Sequence, residues 1–256
     1  HYESEVLNGK YFGTAQERKR SITLISTSLN QWMHPAESET LITLSDVISN
    51  EDEFPSLDSG ASGIPWHFLS KQNPDHIDWM RYTPTGKSAY FNELDHYPCQ
   101  IIENQAGSGS SITEYIKKTN GENGWHTNPP SLIDPSGNCE IIESPQEETI
   151  NDKDVLSIDI PEGYKLKREI YGFTTAYKRM DWNKPAPTVT MTNGSISSQN
   201  NVHPGRPNND EEGTYSEARV LSIREVLAVC GLPVSMLDVF ARKPSLMLNI
   251  NILVTA

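Results

Sequence analysis

The chain has 256 residues, of which 36% are hydrophobic and 21% are charged, with a net charge of -13. This composition is typical of a globular protein with one large or two modest domains, and no apolar run reaches the roughly 20 residues that a membrane-spanning helix needs. The acidic balance argues against indiscriminate coating of nucleic acid but allows a local basic face. Because the sequence opens with His1 rather than Met, we expect a processed chain or a fragment.

The three cysteines and seven histidines indicate neither a disulfide framework nor a metal site. No cysteine pair has the Cys-x-x-Cys spacing, and no two histidines stand four residues apart in a helical pattern. We therefore expect a reducing, cytoplasmic setting and no structural metal.

The first predicted element is a short β-rich run at residues 20–26, which has the composition of a buried strand. Just before it, Gln16, Arg18 and Arg20 alternate with a period of two. An extended backbone would place these three polar side chains on one face. Three hydrogen-bonding groups on one face are a candidate site, and an exposed edge strand is the alternative.

The next stretches give weaker signals. Residues 41–81 show no clear period, and the Gly-Lys-Ser within 83–90 is not a phosphate-binding loop, because Arg81 stands where that motif needs glycine. Residues 104–140 are rich in Gly, Ser, Asn and Pro, which predicts long loops and short strands. Long loops in a compact protein are often functional.

Charge is unevenly distributed along the middle of the chain. Between residues 91 and 161 there are 13 acidic residues and three lysines, whereas residues 162–184 carry six basic and three acidic ones. Within the basic segment, Lys165, Lys167 and Arg168 are candidates for contact with phosphate. The alternative is chance clustering on a solvated surface.

Residues 219–233 give the clearest helix. Ser222 and Glu225 form a capping box, and Gly231 followed by Pro233 provides a stop signal. The apolar face falls at helical spacing on Ile223, Val226, Leu227 and Cys230. This pattern makes Cys230 a core thiol rather than a nucleophile.

Two stretches of the sequence carry a resemblance to a known family. Residues 6–26 contain Gln-x-Arg-x-Arg followed by a strand, and residues 177–205 contain an Arg, a Pro-x-x-Thr and a His-Pro, followed by the helix at 219–233. Both resemble blocks of the DNA cytosine-5 methyltransferases, in the family's order. About 150 residues separate them, and in this family that interval holds the variable target recognition domain.

The resemblance implies the fold. We expect an incomplete α/β catalytic edge made from both chain ends, with a large β-rich, loop-rich target recognition domain between them. The corresponding boundaries are 1–45 for the catalytic edge, 46–215 for the recognition domain with its supporting block, and 216–256 for the helix that returns to the catalytic domain.

A Pro-Cys-Gln at residues 98–100 looks like the family's nucleophile but stands in the wrong place. In the family this motif precedes Gln-x-Arg-x-Arg, whereas here it follows, and Glu103-Asn104 lies too close to Cys99 to be the family's Glu-Asn. We therefore expect Cys99 to be non-catalytic, with a rearranged chain as the alternative.

Several of the family's blocks are not recognisable in this sequence. They are the Gly-rich turn that binds S-adenosylmethionine, the true nucleophile block and the catalytic glutamate. The segment after Phe240 also departs from the family's pattern, which puts a normal cofactor pocket in doubt. The chain resembles the carboxyl-terminal half of such an enzyme. It is expected to be inactive without the amino-terminal half, which would hold most of the cofactor.

The family's chemistry requires the cytosine outside the duplex, because the ring carbons are unreachable in the stack. By resemblance, Arg18 and Arg20 would lie beside the flipped base. One would donate to the cytosine carbonyl, and the other would pair with phosphate or with a catalytic carboxylate. Gln16 would fix the local turn.

The resemblance also implies double-stranded DNA as a partner, together with an amino-terminal catalytic half or partner subunit and no membrane. Arg179 and Thr188 match a block that braces the recognition domain, and the polar run 190–201 suits phosphate oxygens. The candidate DNA-binding residues are Lys165, Lys167, Arg168, Arg179, Thr188, Ser195, Ser197 and Asn200.

The expected setting is the cytoplasm of a bacterial or phage-infected cell, close to the nucleoid, as in restriction–modification. Two alternatives stay open. One is a catalytically inactive, sequence-specific DNA-binding module derived from such an enzyme. The other is an unrelated β-rich protein with chance matches.

Overall fold

The computed structural model describes twelve stretches of the chain, and the fold divides into two compact units. The described stretches are residues 2–27, 33–60, 62–69, 71–93, 95–103, 111–116, 131–142, 146–150, 153–170, 175–190, 195–196 and 201–235. The first unit combines His1–Lys87 with Tyr177–Ala256, and the second is Ser88–Ala176. The fold is mixed, with few helices and antiparallel sheets. The functional boundaries 1–45, 46–215 and 216–256 stay a prediction.

The first unit begins with an antiparallel hairpin. Strand β1 (Tyr2–Asn8) pairs with β2 (Lys19–Ile25) over seven residues. The strand predicted at 20–26 is confirmed, but the prediction that it is buried is wrong, since six of its seven residues are exposed. The reason is that the hairpin is a two-stranded sheet, which no other described strand extends.

The core of the first unit forms where α1 (Leu44–Ile48) packs against the helix predicted near the end of the chain. That helix, called α3 below, spans Ile223–Val229 and has the expected capping box of Ser222 and Glu225. Gly231 ends it with a φ of 74°. The buried cluster comprises Leu44, Ile48, Phe54, Met180, Ala186, Val189, Leu221, Val226 and Val229.

A further helix, α2 (Pro74–Arg81), was not predicted from the sequence. The Asn73 side chain accepts a hydrogen bond from the backbone N–H of Asp75, and Pro74 occupies the first turn, where a missing N–H costs nothing. Its carboxyl-terminal half buries Trp79 and Met80.

Arg179 lies in the interior of the first unit with 0% of its surface exposed. Nε and Nη2 both donate to the carbonyl oxygen of Met80, Nη1 donates to those of His203 and Glu217, and Nη2 also donates to that of Tyr215. Burial lowers the pKa of Arg179 to about 9, and neighbouring carboxylates favour its charged form. The guanidinium therefore stays protonated at neutral pH and joins α2 to two later segments.

A buried acid–base pair lies next to this arginine. His203 Nδ1 accepts from the Gly205 N–H at 3.0 Å, so the ring proton sits on Nε2, 3.6 Å from a Glu225 carboxylate oxygen. Burial lowers the pKa of His203 to about 3. Burial alone would raise the pKa of Glu225, but hydrogen bonds from Arg219 at 2.7 and 2.9 Å outweigh it, and the pKa is about 2. At neutral pH a neutral histidine faces an ionised glutamate.

The described residues of the second unit form two antiparallel sheets. In the first sheet the order is β3 (Cys99–Glu103), β9 (Lys165–Glu169), β5 (Ser131–Ile133) and β6 (Cys139–Ile141). In the second it is β4 (Ser111–Ile116), β8 (Lys153–Ile160) and β7 (Gln146–Ile150). Much of the loop region predicted at 104–140 lies outside the described residues.

Gly205 tests the packing around the buried Arg179 guanidinium, and Gly213 is the matched control. Both have positive φ, 66° and 79°, but a Cβ on Gly205 would collide with the Arg179 guanidinium and the Ser216 carbonyl, whereas Gly213 has open space. We expect Gly213→Ala to lower the free energy of unfolding by about 1 kcal/mol, for the backbone alone. Gly205→Ala should lose about 3 kcal/mol or more. Urea denaturation measures the free energy of unfolding of both variants. Equal losses would contradict the close contact between Gly205 and Arg179.

The acid–base pair predicts how stability depends on pH. Below the ordinary histidine pKa of 6.5, the unfolded chain takes up a proton that folded His203 refuses, so the free energy of unfolding falls as the pH drops. Below the ordinary glutamate pKa of 4.5, the unfolded chain also protonates Glu225 before the folded chain does, and stability falls further. His203→Gln should flatten the curve between about pH 6.5 and 5 and keep the loss at lower pH. An unchanged curve in urea titrations would refute this assignment.

Candidate active site

The two stretches that carry the family resemblance lie side by side in the first unit. The backbone near Gln16 runs parallel to that near Ala186, with Ala186 N–H donating to the Ala15 carbonyl at 2.7 Å and Glu17 N–H donating to the Ala186 carbonyl at 2.8 Å. The Thr188 hydroxyl donates to the Glu17 carbonyl at 2.7 Å. The segment with Gln-x-Arg-x-Arg is thus fixed by the segment with Pro-x-x-Thr.

Arg18 is held from both sides. Its backbone N–H donates to the Asn8 side-chain oxygen at 3.0 Å, and its carbonyl accepts from the Gly9 N–H at 2.9 Å. Its Nη1 donates to the Val189 carbonyl at 3.2 Å. Burial, with a smaller contribution from Arg20, lowers the pKa of Arg18. Nε and Nη2 have no partner among the described residues and remain available to a ligand.

These elements line a cleft of about 640 Å³ whose walls are mainly apolar. Its lining comprises Leu7, Gly9, Phe12, Thr14, Gln16, Arg18, Arg20, Ile22, Leu24, Met33, His34, Pro35, Cys230 and Leu232. The prediction that Gln16, Arg18 and Arg20 face the same side is confirmed. Their roles stay a prediction.

Two polar atoms of the lining are buried without a hydrogen-bond partner in the part of the chain that the structure describes. They are the side-chain nitrogen Nε2 of Gln16 and the ring nitrogen Nε2 of His34. Gln16 is only 3% exposed. The turn that Gln16 was expected to fix involves its backbone carbonyl, which accepts from the Thr14 hydroxyl at 3.3 Å. Sequence reasoning missed His34, because a lone histidine carries no spacing signal.

The cysteines occupy different environments. Cys230 packs partly against the core, as predicted, but also lines the cleft, and burial raises its pKa although Arg18 acts in the opposite direction. Cys99 begins β3 in the second unit, opposite Glu169, and Cys139 is exposed. That Cys99 is non-catalytic stays a prediction.

The three basic residues of β9 differ in exposure. Lys165 is exposed and Arg168 is partly exposed, so both can approach phosphate. Lys167 is buried, donates to the Asp95 carbonyl at 3.0 Å and stands over the Tyr97 ring. Its ammonium is already engaged inside the second unit, which weighs against the expected phosphate contact.

The other candidate DNA-binding residues also differ in exposure. Arg179 is fully buried, which favours bracing over direct contact with DNA, and Thr188 is exposed at the surface. Ser195 is exposed, and its carbonyl accepts from Asn201 at 2.8 Å. Ser197 and Asn200 lie outside the described residues.

Neither a membrane span nor a metal centre occurs in the part of the chain that the structure describes. No helix there is long and apolar enough to cross a bilayer. No group of three or more His, Cys, Asp or Glu side chains there could hold a metal ion.

The burial of Cys230 predicts slow alkylation. Because burial raises its pKa and restricts access, iodoacetamide at pH 8 should modify Cys230 at least about tenfold more slowly than exposed Cys139. Peptide mass spectrometry measures the two rates, and unfolding in urea supplies the control by making them similar. Equal rates in the folded chain would contradict the partly buried position of Cys230.

Comparison with known proteins points to methyltransferases. The chain is 32% identical over 234 residues to the type II methyltransferase M1.HgaI of Avibacterium volantium, a match that covers 91% of this chain and 46% of that protein. No family model and no solved structure matches. The chain is therefore similar to a type II methyltransferase and spans about half the length of this curated relative.

Proposed function

We propose that the chain is the carboxyl-terminal part, or a subunit, of an S-adenosylmethionine-dependent DNA cytosine-5 methyltransferase. It would supply recognition of duplex DNA and the arginines beside a flipped cytosine. The observation that carries the proposal is the cleft that Gln16, Arg18 and Arg20 line together. The similarity to a methyltransferase over 91% of the chain supports it.

The chemistry of the cleft suits a pyrimidine taken out of the duplex. A cytosine cannot be attacked within the stack, and base flipping brings its ring to a protein pocket. Arg18 is oriented through the Val189 carbonyl and keeps two nitrogens for a ligand. A fixed guanidinium stabilises negative charge that develops on the ring without having to reorganise. Arg18 would donate to the cytosine carbonyl, and Arg20 would pair with phosphate or a carboxylate.

The hairpin supports the expectation of a further catalytic half. It carries exposed apolar residues on both faces, and a two-stranded sheet of that kind needs further protein to bury them. The face opposite the cleft includes Tyr2, Val6 and Ile25, which are 76%, 65% and 76% exposed. The cleft face includes Leu7, Ile22 and Leu24. A polypeptide that covers both faces and extends β2 would complete such a sheet.

The residues of the cleft do not fit S-adenosylmethionine itself. This cofactor carries a sulfonium and an ammonium group, whereas the described lining residues include two arginines and no carboxylate. We therefore assign the cofactor to the amino-terminal half.

Duplex DNA is the proposed partner of the whole enzyme. Lys165, Arg168, Thr188 and Ser195 are the exposed or partly exposed candidates for contact with phosphate. A restriction–modification role in the bacterial or phage-infected cytoplasm fits the type II methyltransferase among its relatives.

An inactive DNA-binding module is the second candidate. The segment after Phe240, which departs from the family's pattern, favours it. A module that only binds DNA has no need of the cleft around Gln16, and the first proposal accounts for that cleft.

Arg20 and Lys19 give a matched test of the proposal. They are neighbours on exposed β2, but their side chains lie on opposite faces, and only Arg20 lines the cleft. In the complete enzyme, Arg20→Ala should lower kcat about 100-fold or more, the usual effect of losing one donor to developing charge, while Lys19→Ala should change it less than about threefold. Methyl transfer to DNA from labelled S-adenosylmethionine measures both rates. Equal effects of the two substitutions would refute the role of Arg20. A complete protein that binds duplex DNA but never methylates it would support the second candidate, an inactive DNA-binding module.

A further inference from the structure

His34 and Gln16 are two polar residues of the cleft besides the arginines. The Nε2 atoms of both side chains are buried and have no hydrogen-bond partner in the described part of the chain. Both residues line the same cleft. A buried polar group without a partner costs about 1–3 kcal/mol, so two such groups in one cleft point to an occupant that satisfies them.

The chemistry of this pair indicates the kind of occupant. An amide nitrogen donates, and an imidazole nitrogen donates or accepts according to its tautomer. Both groups can be neutral, unlike the guanidinium groups of Arg18 and Arg20. A carboxylate or phosphate would pair first with the arginines, whereas a neutral ring that carries donors and acceptors can also use an amide and an imidazole.

The size and walls of the cleft agree with a nucleobase. Its volume of about 640 Å³ lies within the range of small-molecule sites, about 300–1,000 Å³. Phe12, Ile22 and Leu24 give it apolar walls, which suit the flat faces of a ring.

We propose that His34, together with Gln16, binds the polar edge of the flipped pyrimidine. This inference rests on the proposed function and adds His34 to the residues that contact the base. The amide of Gln16 donates to a ring acceptor, and His34 Nε2 bonds to a neighbouring polar group of the same base.

The test is a nuclear magnetic resonance titration of the full chain, labelled with ¹⁵N at histidine and glutamine side chains. The probe is 2′-deoxycytidine 5′-monophosphate, and the matched control ligand is 2-deoxyribose 5-phosphate, which has the same sugar and phosphate but no base. We expect the nucleotide, and not the sugar phosphate, to shift the signals of the His34 ring and the Gln16 amide.

Three variants refine the test. His34→Leu should weaken nucleotide binding roughly tenfold, the size of one hydrogen bond. His34→Gln keeps a polar nitrogen near the same place and should retain most of the affinity. Glu39→Gln, at an exposed position of the same segment, should bind as the unaltered chain does.

Two results would overturn the inference. One is a nucleotide titration that leaves both signals unshifted. The other is an equal shift of both signals with the sugar phosphate, or with acetate added as a second anion that has no base. That result would mean that the arginines bind an anion and that His34 contacts no base.

This binding assay requires no methyl transfer, so the two proposals can fail separately. If the nucleotide shifts both signals but the complete protein never methylates DNA, the base site stands and the methyltransferase proposal falls. If Arg20→Ala abolishes methylation but the nucleotide leaves His34 unshifted, the methyltransferase proposal stands and the role of His34 falls.

Discussion

The packing of the first unit depends on the buried guanidinium of Arg179. All five donor hydrogens of Arg179 are directed at backbone carbonyls from α2 and from two later segments, and Gly205 is the residue that leaves room for it. A buried charge without such partners would be strongly unfavourable, so the position forces these segments to meet. The neutral His203 and the ionised Glu225 lie in the same interior and extend this polar network to α3. The network stabilises the part of the fold that carries Ala186 and Val189, and these residues in turn fix Arg18.

The sequence predicted local structure where local chemistry determines it. The capping box at Ser222 and the alternation of Gln16, Arg18 and Arg20 depend on near neighbours, and the structure has both α3 and the shared face. Helix α2 was missed although Asn73 and Pro74 are start signals, because eight residues are too few for a clear period. The buried position of Lys167, the orphaned nitrogen of His34 and the bond from Thr188 to Glu17 come from contacts between distant parts of the chain. No local pattern reports such contacts.

The exposure of β2 and the content of the cleft have one explanation in common. A hairpin with exposed apolar residues on both faces, and a cleft where the Gln16 amide nitrogen and a His34 ring nitrogen lack a partner among the described residues, both point to a binding partner. A catalytic half would cover the hairpin, and a flipped base would occupy the cleft. The match to a methyltransferase that is about twice as long agrees with this account.

The most direct measurement mixes this chain with the polypeptide that carries the family's cysteine and cofactor blocks. The mixture is incubated with S-adenosylmethionine and a DNA library, and bisulfite sequencing then locates 5-methylcytosine. The account predicts 5-methylcytosine at a defined sequence with the two polypeptides together and none with either alone. Methylation by this chain alone, or a mixture that yields no 5-methylcytosine, would contradict it.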